Sequence, residues 1–171
     1  MNTANKRKLF SILIGALLSV GALNASAAPA PSGPPDATVP FDADLACTFP
    51  LTVELWDGNG HTRLVTDKDG FPKFVFSGTG NTFRFTNATT GQSTIQMSQG
   101  AHQQIIQYPD GSLKVTSDGA LLVVWFPTDI PAGPSTTYYN GHSVLAISAA
   151  GVGTWVTPPR GHARDICAEL S

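Results

Sequence analysis

Short apolar runs recur roughly every ten residues from Leu51 onward, and turn residues separate them. The runs are rich in Val, Ile, Phe and Thr, which favour β-strands, while Gly, Asn, Asp and Pro fill the gaps. In Leu51–Trp56, apolar and polar side chains alternate, so Leu51, Val53 and Leu55 share one face and Trp56 lies on the other. This pattern predicts an antiparallel all-β domain of about nine or ten strands.

After the first strand, the pattern predicts strands at His61–Thr66, Pro72–Ser77, Thr82–Asn87, Ser93–Met97, His102–Tyr108, Leu113–Thr116, Leu121–Phe126, Thr137–Ile147 and Val152–Thr157. Leu121–Phe126 is apolar on both faces, which predicts burial on both sides. Residues 57–60 and 117–119 are predicted turns, and residues 163–170 a C-terminal turn or short helix. The short connections favour pairing between sequence neighbours, hence a meander that closes into a barrel or a curled β-sandwich.

The N-terminus has the pattern of a secretory signal. The basic cluster Lys6-Arg7-Lys8 precedes an apolar run, which ends in the small-residue motif Ala25-Ser26-Ala27. We therefore expect a signal peptide at residues 1–27, export by the general secretory pathway and no membrane span in the mature form. Residues 28–40 are rich in Pro and Ala and predict a linker, and residues 41–171 a single domain.

Charge and cysteine content narrow the function classes. Removing residues 1–27 takes away three of the ten basic residues and none of the twelve acidic ones, which leaves a net charge of −5. That sign argues against a nucleic-acid partner. Cys47 and Cys167 are the two cysteines, 120 residues apart, and in an exported chain they predict one structural disulfide.

Histidines give a first candidate site. His61, His142 and His162 each follow a glycine, and His102 comes two residues after Gly100. In a meander, the strands that begin at His61 and His102 start at the same rim, where imidazoles could bind a transition metal or act as a general base. The alternative is that they are exposed residues at strand ends. No cofactor is predicted.

Aromatic residues give a second candidate site. Trp56, Trp155, Tyr138 and Tyr139 could form a stacking platform for sugar rings, although burial in the fold is the alternative for each. Trp125 is assigned to the core. Hydrolase motifs are missing from the sequence, and among carboxylates Glu54 and Asp129 are available without a feature that singles them out.

The stretch from Cys47 to Cys167, with Phe126–Pro134 and the closing Asp165-Ile166-Cys167, resembles small exported proteins of actinobacteria that have no assigned function. The resemblance implies a bacterial secreted origin and transfers no catalytic residue; it also favours an ordinary turn over a glycosylation site at Asn87-Ala88-Thr89. Taken together, we expect a secreted, non-enzymatic β-domain that binds a small molecule, a glycan or an extracellular surface. The alternative is a small secreted enzyme or metal-binding protein that uses a histidine-containing barrel mouth.

Overall fold

The computed structural model describes residues 31–78, 81–98 and 100–171, so the predicted signal peptide lies outside the described residues. Within these ranges the chain forms eleven strands and one short helix. They are β1 (Ala37–Phe41), β2 (Leu51–Trp56), β3 (His61–Thr66), β4 (Pro72–Gly78), β5 (Thr82–Asn87), β6 (Ser93–Met97), β7 (Ala101–Gln107), β8 (Leu113–Trp125), β9 (Ser135–Ile147), β10 (Gly153–Thr157), β11 (Ala163–Asp165) and α1 (Ile166–Glu169). No helix in the described ranges is long and apolar enough to cross a membrane.

The strands form two antiparallel sheets, which confirms the all-β prediction. The four-stranded sheet has the order β1-β2-β5-β6. The seven-stranded sheet has the order β10-β9-β8-β7-β4-β3, and β11 pairs with β9. No closed barrel is found among the described strands.

The predicted meander is wrong at three connections, because β2 does not pair with β3, β4 does not pair with β5 and β6 does not pair with β7. β2 pairs with β5 and β4 pairs with β7, so the chain passes from one sheet to the other after β2, β4 and β6. Residues 57–60, predicted as a hairpin turn, are therefore a crossover; Asn81, in the next crossover, accepts a hydrogen bond from the Gly58 N–H at 2.9 Å. Crossing between sheets lets both apolar faces bury against each other, whereas a single open meander leaves one in water.

Both sheets contribute to one hydrophobic core. From the four-stranded sheet come Val53, Leu55, Phe83 and Phe85, and from the seven-stranded sheet Ile105, Leu113, Val115 and Leu121, all buried. Burying one such large apolar side chain contributes about 1.5–3 kcal/mol. The second half of β8 is buried as its composition predicts, with Leu121, Leu122, Val123 and Trp125 each at most 5 % exposed.

β8 and β9 are longer than predicted. The expected turn at residues 117–119 is wrong, because Gly119 lies opposite Gly141 inside a continuous ladder of thirteen residue pairs. Both glycines have positive φ, 109° and 137°. Such backbone suits glycine best, and in a strand it marks an irregularity or a close backbone approach. Residues 117–119 have the composition of a turn, but they form an irregular point within the β8–β9 strand pair.

β1 starts inside the predicted linker. Residues 37–40 pair with β2, in register from Ala37 opposite Leu55 to Phe41 opposite Leu51. Pro40 is compatible with this because β1 is an edge strand, where a missing N–H is tolerated.

The C-terminus is attached to the core by a disulfide and by side-chain hydrogen bonds. Cys47 and Cys167 form the predicted disulfide, with Cα atoms 5.5 Å apart. The Asn87 amide donates to the Leu170 carbonyl at 2.9 Å, and its oxygen accepts from the Thr89 N–H at 2.9 Å. Asn87 is buried and closes the β5–β6 turn, which agrees with the reading of this sequon as an ordinary turn.

We predict that the disulfide is a major source of stability. It closes a loop of 120 residues, for which the chain-entropy estimate is about 4–5 kcal/mol. Cys47→Ala/Cys167→Ala should lower the free energy of unfolding by several kcal/mol in guanidinium titrations. A reducing agent should destabilise the wild type to the same level and leave the double variant unchanged. A loss below about 1 kcal/mol would contradict the prediction.

Candidate functional site

Three of the four candidate histidines, His61, His102 and His142, lie in one row across the seven-stranded sheet, whereas His162 lies between β10 and β11. His61 is opposite Ser77, Ser77 is opposite His102, His102 is opposite Asp118, and Asp118 is opposite His142. Residues directly opposite one another in a ladder point to the same face. Antiparallel register thus places these five side chains, from five neighbouring strands, on one face of the sheet.

Two hydrogen bonds orient the row. The Nδ1–H of His142 donates to Asp118 Oδ1 at 2.6 Å, and the Gln104 amide donates to Nε2 of His102 at 2.9 Å. His61 and His102 are two strands apart, about 10 Å at normal strand spacing. In the described part of the chain, no group of three or more His, Cys, Asp or Glu side chains is placed to hold a metal ion.

Part of the row contains the residue types of a nucleophilic triad, in the order Ser77, His102, Asp118. A working triad needs the histidine bonded to both the hydroxyl and the carboxylate. Here Nε2 of His102 accepts from Gln104, and Asp118 bonds to His142. The hydrogen bonds that would activate Ser77 are therefore not formed among these three residues.

The row is one edge of a larger surface, which we call the outer face. Its next two rows, at alternate positions along the same strands, are Arg63-Val75-Gln104-Thr116-Val144 and Val65-Lys73-Ile106-Lys114-Ala146. The opposite face of these strands carries Ile105, Val115 and Leu145 into the core. The outer face is therefore the side of the sheet that faces away from the shared core.

Unpaired cations collect on the outer face. Of the seven described lysines and arginines, Lys68, Arg84 and Arg164 are ion-paired, whereas Arg63, Lys73 and Lys114 on this face, and Arg160 outside the three rows, are in none of these ion pairs. Lys73 and Lys114 share a row with Ile106 between them, and Arg63 is a diagonal neighbour of Lys73. Asp118 is the acidic residue of the three rows. The outer face is thus locally positive on a chain whose mature form has a predicted net charge of −5.

Sequence reasoning missed these cations because they are far apart along the chain. The three lie on β3, β4 and β8, and the pairing of β4 with β7 brings their strands into one sheet. The missing signal was the pairing order of the strands.

The four candidate aromatic residues do not form one platform. Trp56 is on the four-stranded sheet, where its indole N–H donates to the Gly33 carbonyl at 3.1 Å and the Arg84 guanidinium covers its ring at 5.2 Å. The other three are on the seven-stranded sheet. A sugar ring could not stack on all four at once.

The remaining three aromatics pack with the core. Trp155 meets Tyr139 and Trp125 edge to face, with ring centroids 5.5 and 5.2 Å apart. Tyr138 is buried, and its hydroxyl lies 3.2 Å from Ser98 Oγ. These three contacts are explained by packing within the fold, which was the alternative to a sugar-binding role for these aromatic residues.

A small cavity, partly open to solvent, lies beside the second half of β8. Its volume is about 40 Å³, and Leu121, Val123, Trp125 and Leu145 are among its lining residues. Small-molecule sites are typically ~300–1,000 Å³. This cavity has room for a few water molecules at most.

Glu54 and Asp129 both have structural partners. Arg84 donates to Glu54 through Nε at 2.5 Å and Nη2 at 2.7 Å, and holds the pKa of Glu54 below its ordinary value, mainly through this hydrogen bonding. The buried Asp129 carboxylate accepts from the backbone N–H groups of Phe126 and Gly153, both at 2.7 Å. It therefore fixes the loop after β8 against β10, and the two carboxylates do not act as a pair.

Comparison with models of protein families, with curated proteins and with solved structures finds no match for this chain. A functional argument for it therefore rests on the chemistry of its own surfaces.

We predict that Asp129→Ala loosens the loop at residues 126–134. The change leaves two N–H groups without their charged acceptor, which should lower the free energy of unfolding by about 2–3 kcal/mol. Amide hydrogen exchange should accelerate at Phe126 and Gly153. Asp69→Ala, in an exposed turn, is the control and should change stability by less than about 0.5 kcal/mol. Equal effects of the two changes would contradict the role assigned to Asp129.

We predict a pH-dependent contribution from the Glu54–Arg84 pair. Because the folded-state pKa of Glu54 is lowered, its stabilisation is present above the ordinary glutamate pKa and is lost as pH falls through the lowered value. Glu54→Gln should reduce stability by about 0.5–1 kcal/mol at pH 7, since the pair is partly exposed, with little difference from wild type near pH 2. Urea titrations at several pH values measure this, and a deficit independent of pH would contradict it.

Proposed function

We propose that this chain is an exported, non-enzymatic binding domain whose outer face holds an acidic glycan at an extracellular surface. The main support for this proposal is a group of three cations on one face of the sheet that have no carboxylate partners in the described chain. They are Arg63, Lys73 and Lys114. Burial of the two sheets around a shared core supports a β-sandwich as the scaffold in this proposal.

Local charge favours an acidic ligand. A patch of cations on one face attracts polyanions over distances of about a Debye length, ~8–10 Å. Lys73 and Lys114 are separated by two strand spacings, about 10 Å. A polymer with repeated carboxylate or sulfate groups can contact both at once.

Hydrogen-bonding groups beside the cations favour a sugar. Gln104 bonds both Lys73, at 3.2 Å, and His102, so it connects the cationic rows to the histidine row. Thr116, Ser77 and His61 add hydroxyl and imidazole groups on the same face. Polar side chains on a solvent-facing sheet suit the hydroxyl-rich surface of a glycan better than an apolar small molecule.

The open shape of the surface supports a polymer ligand. His61, Arg63, Lys114 and His142 are exposed, and the cavity noted above is on the other side of the sheet. The two-cysteine disulfide and the predicted signal peptide are compatible with an exported site of action.

The proposal predicts binding to acidic polysaccharides and its loss on removing the outer-face cations. In titrations at low ionic strength, the protein should bind polygalacturonate or a sulfated glycan and ignore neutral dextran. Lys73→Gln/Lys114→Gln should weaken binding about tenfold, because two exposed charge contacts together contribute about 1.4 kcal/mol.

The control is Lys68→Gln/Arg84→Gln, which changes net charge equally but removes cations that are ion-paired and outside the three rows. It should leave affinity nearly unchanged. Equal losses in both double variants would contradict an outer-face site, and binding to dextran as strong as to the polyanions would contradict the acidic ligand.

A further inference from the structure

Besides the three-residue β11, the two sheets have four outermost strands, and three of these are protected against pairing with another chain. Pro40 removes a donor from β1. Arg164 covers β6 and donates to the Ile95 carbonyl at 3.1 Å. The Ile130 N–H donates to the Gly153 carbonyl at 2.9 Å and bridges the loop to β10.

The fourth outer strand, β3, has no such protection among the described residues. All six residues of His61–Thr66 are exposed, and the strand contains no proline and a single full charge, on Arg63. Leu64 is 63 % exposed although it lies opposite Phe74, a residue packed against the core. The apolar side of the seven-stranded sheet therefore continues to an uncovered edge.

The hairpin geometry shows which backbone groups of β3 are free. The Asp67 N–H donates to the Phe71 carbonyl at 2.9 Å, so residue 67 points toward β4. Because backbone groups alternate in direction along an antiparallel strand, residues 61, 63 and 65 also point toward β4. The N–H and C=O groups of Thr62, Leu64 and Thr66 then point outward, away from the sheet.

Self-pairing of this edge is chemically complementary in one register. With Leu64 opposite Leu64 of a second copy, Thr62 faces Thr66, and Arg63 faces Val65. Moving the two-fold axis one residue toward the N-terminus would place Arg63 opposite Arg63 of the second copy. Like charges directly opposite one another are unfavourable. Moving the axis one residue toward the C-terminus, to Val65, would leave fewer residues of β3 paired with β3 of the second copy. The Leu64-centred register also places His61 opposite Asp67.

We propose that β3 is a dimerisation edge, and that two copies of this chain pair antiparallel through it with Leu64 on the two-fold axis. The inference is independent of the glycan proposal. Pairing makes the two seven-stranded sheets continuous and covers Leu64 and the apolar edge beside Phe74. An isologous contact of this kind closes on itself and stops at two copies.

Sedimentation velocity of the full mature chain across a concentration series up to about 1 mM tests the proposal. Wild type should show a monomer–dimer equilibrium. Leu64→Lys places like charges on the axis and should raise the dimer dissociation constant at least tenfold. Val156→Lys is the matched control, since Val156 is 61 % exposed on β10, and it should leave the constant unchanged. A wild type that stays monomeric, or equal effects of both changes, would overturn the proposal.

Cysteine cross-linking tests the register without depending on a destabilising change. In the proposed dimer the two Leu64 Cα atoms are about 5.5 Å apart, inside the ~4.4–6.8 Å range of disulfides. The two Thr62 Cα atoms are about 14 Å apart, too far to bridge. Mild oxidation should cross-link Leu64→Cys and not Thr62→Cys. Cross-linking of Thr62→Cys with equal yield would contradict the register and the two-fold axis.

Discussion

Seven strands lie in one sheet and four in the other, and both sheets bury their apolar side chains in one core. Because the two sheets differ in their number of strands, the smaller sheet cannot cover the whole apolar face of the larger one. Over β7, β8 and β9 the core face is covered, so Ile105, Val115 and Ile147 are buried. At β3 the cover ends and Leu64 is exposed. The same sheet therefore has a packed centre, a free polar face and an open apolar edge.

The connections that cross between the sheets are what align the outer face. Because β4 pairs with β7 across the intervening β5–β6 hairpin, Lys73 comes into one row with Lys114, and Ser77 with His102. The strand pairing is held at its ends by covalent and polar contacts, such as the Cys47–Cys167 disulfide and the Asp129 carboxylate. The cations of the outer face are not buried, so in the proposed function their spacing is set by the backbone of the strands that carry them.

Much of the fold was predictable from the sequence, because alternation and turn residues act locally. The bounds of β3, β5 and β6 agree with the pattern, and so does the disulfide. Pairing order was not predictable, since residues 57–60 have the composition of a hairpin turn whether the chain returns in the same sheet or crosses to the other. Gly119 was wrongly predicted to lie in a turn for a similar reason, because a positive φ suits both a turn and an irregular point in a strand. At the candidate site, His61, His102 and His142 were identified from the sequence, whereas Ser77, Asp118 and the cations depended on the cross-sheet register.

The central claim is that ligand contact takes place on the outer face of the seven-stranded sheet. Backbone amide chemical-shift mapping by NMR, during titration with an acidic oligosaccharide, tests it most directly. If the ligand binds at the outer face, the perturbed amides should cluster around Arg63, Lys73, Gln104 and Lys114, with little change around Trp56 and Arg84 on the four-stranded sheet. Perturbations centred on Trp56 and Arg84, or none at saturating oligosaccharide, would contradict it.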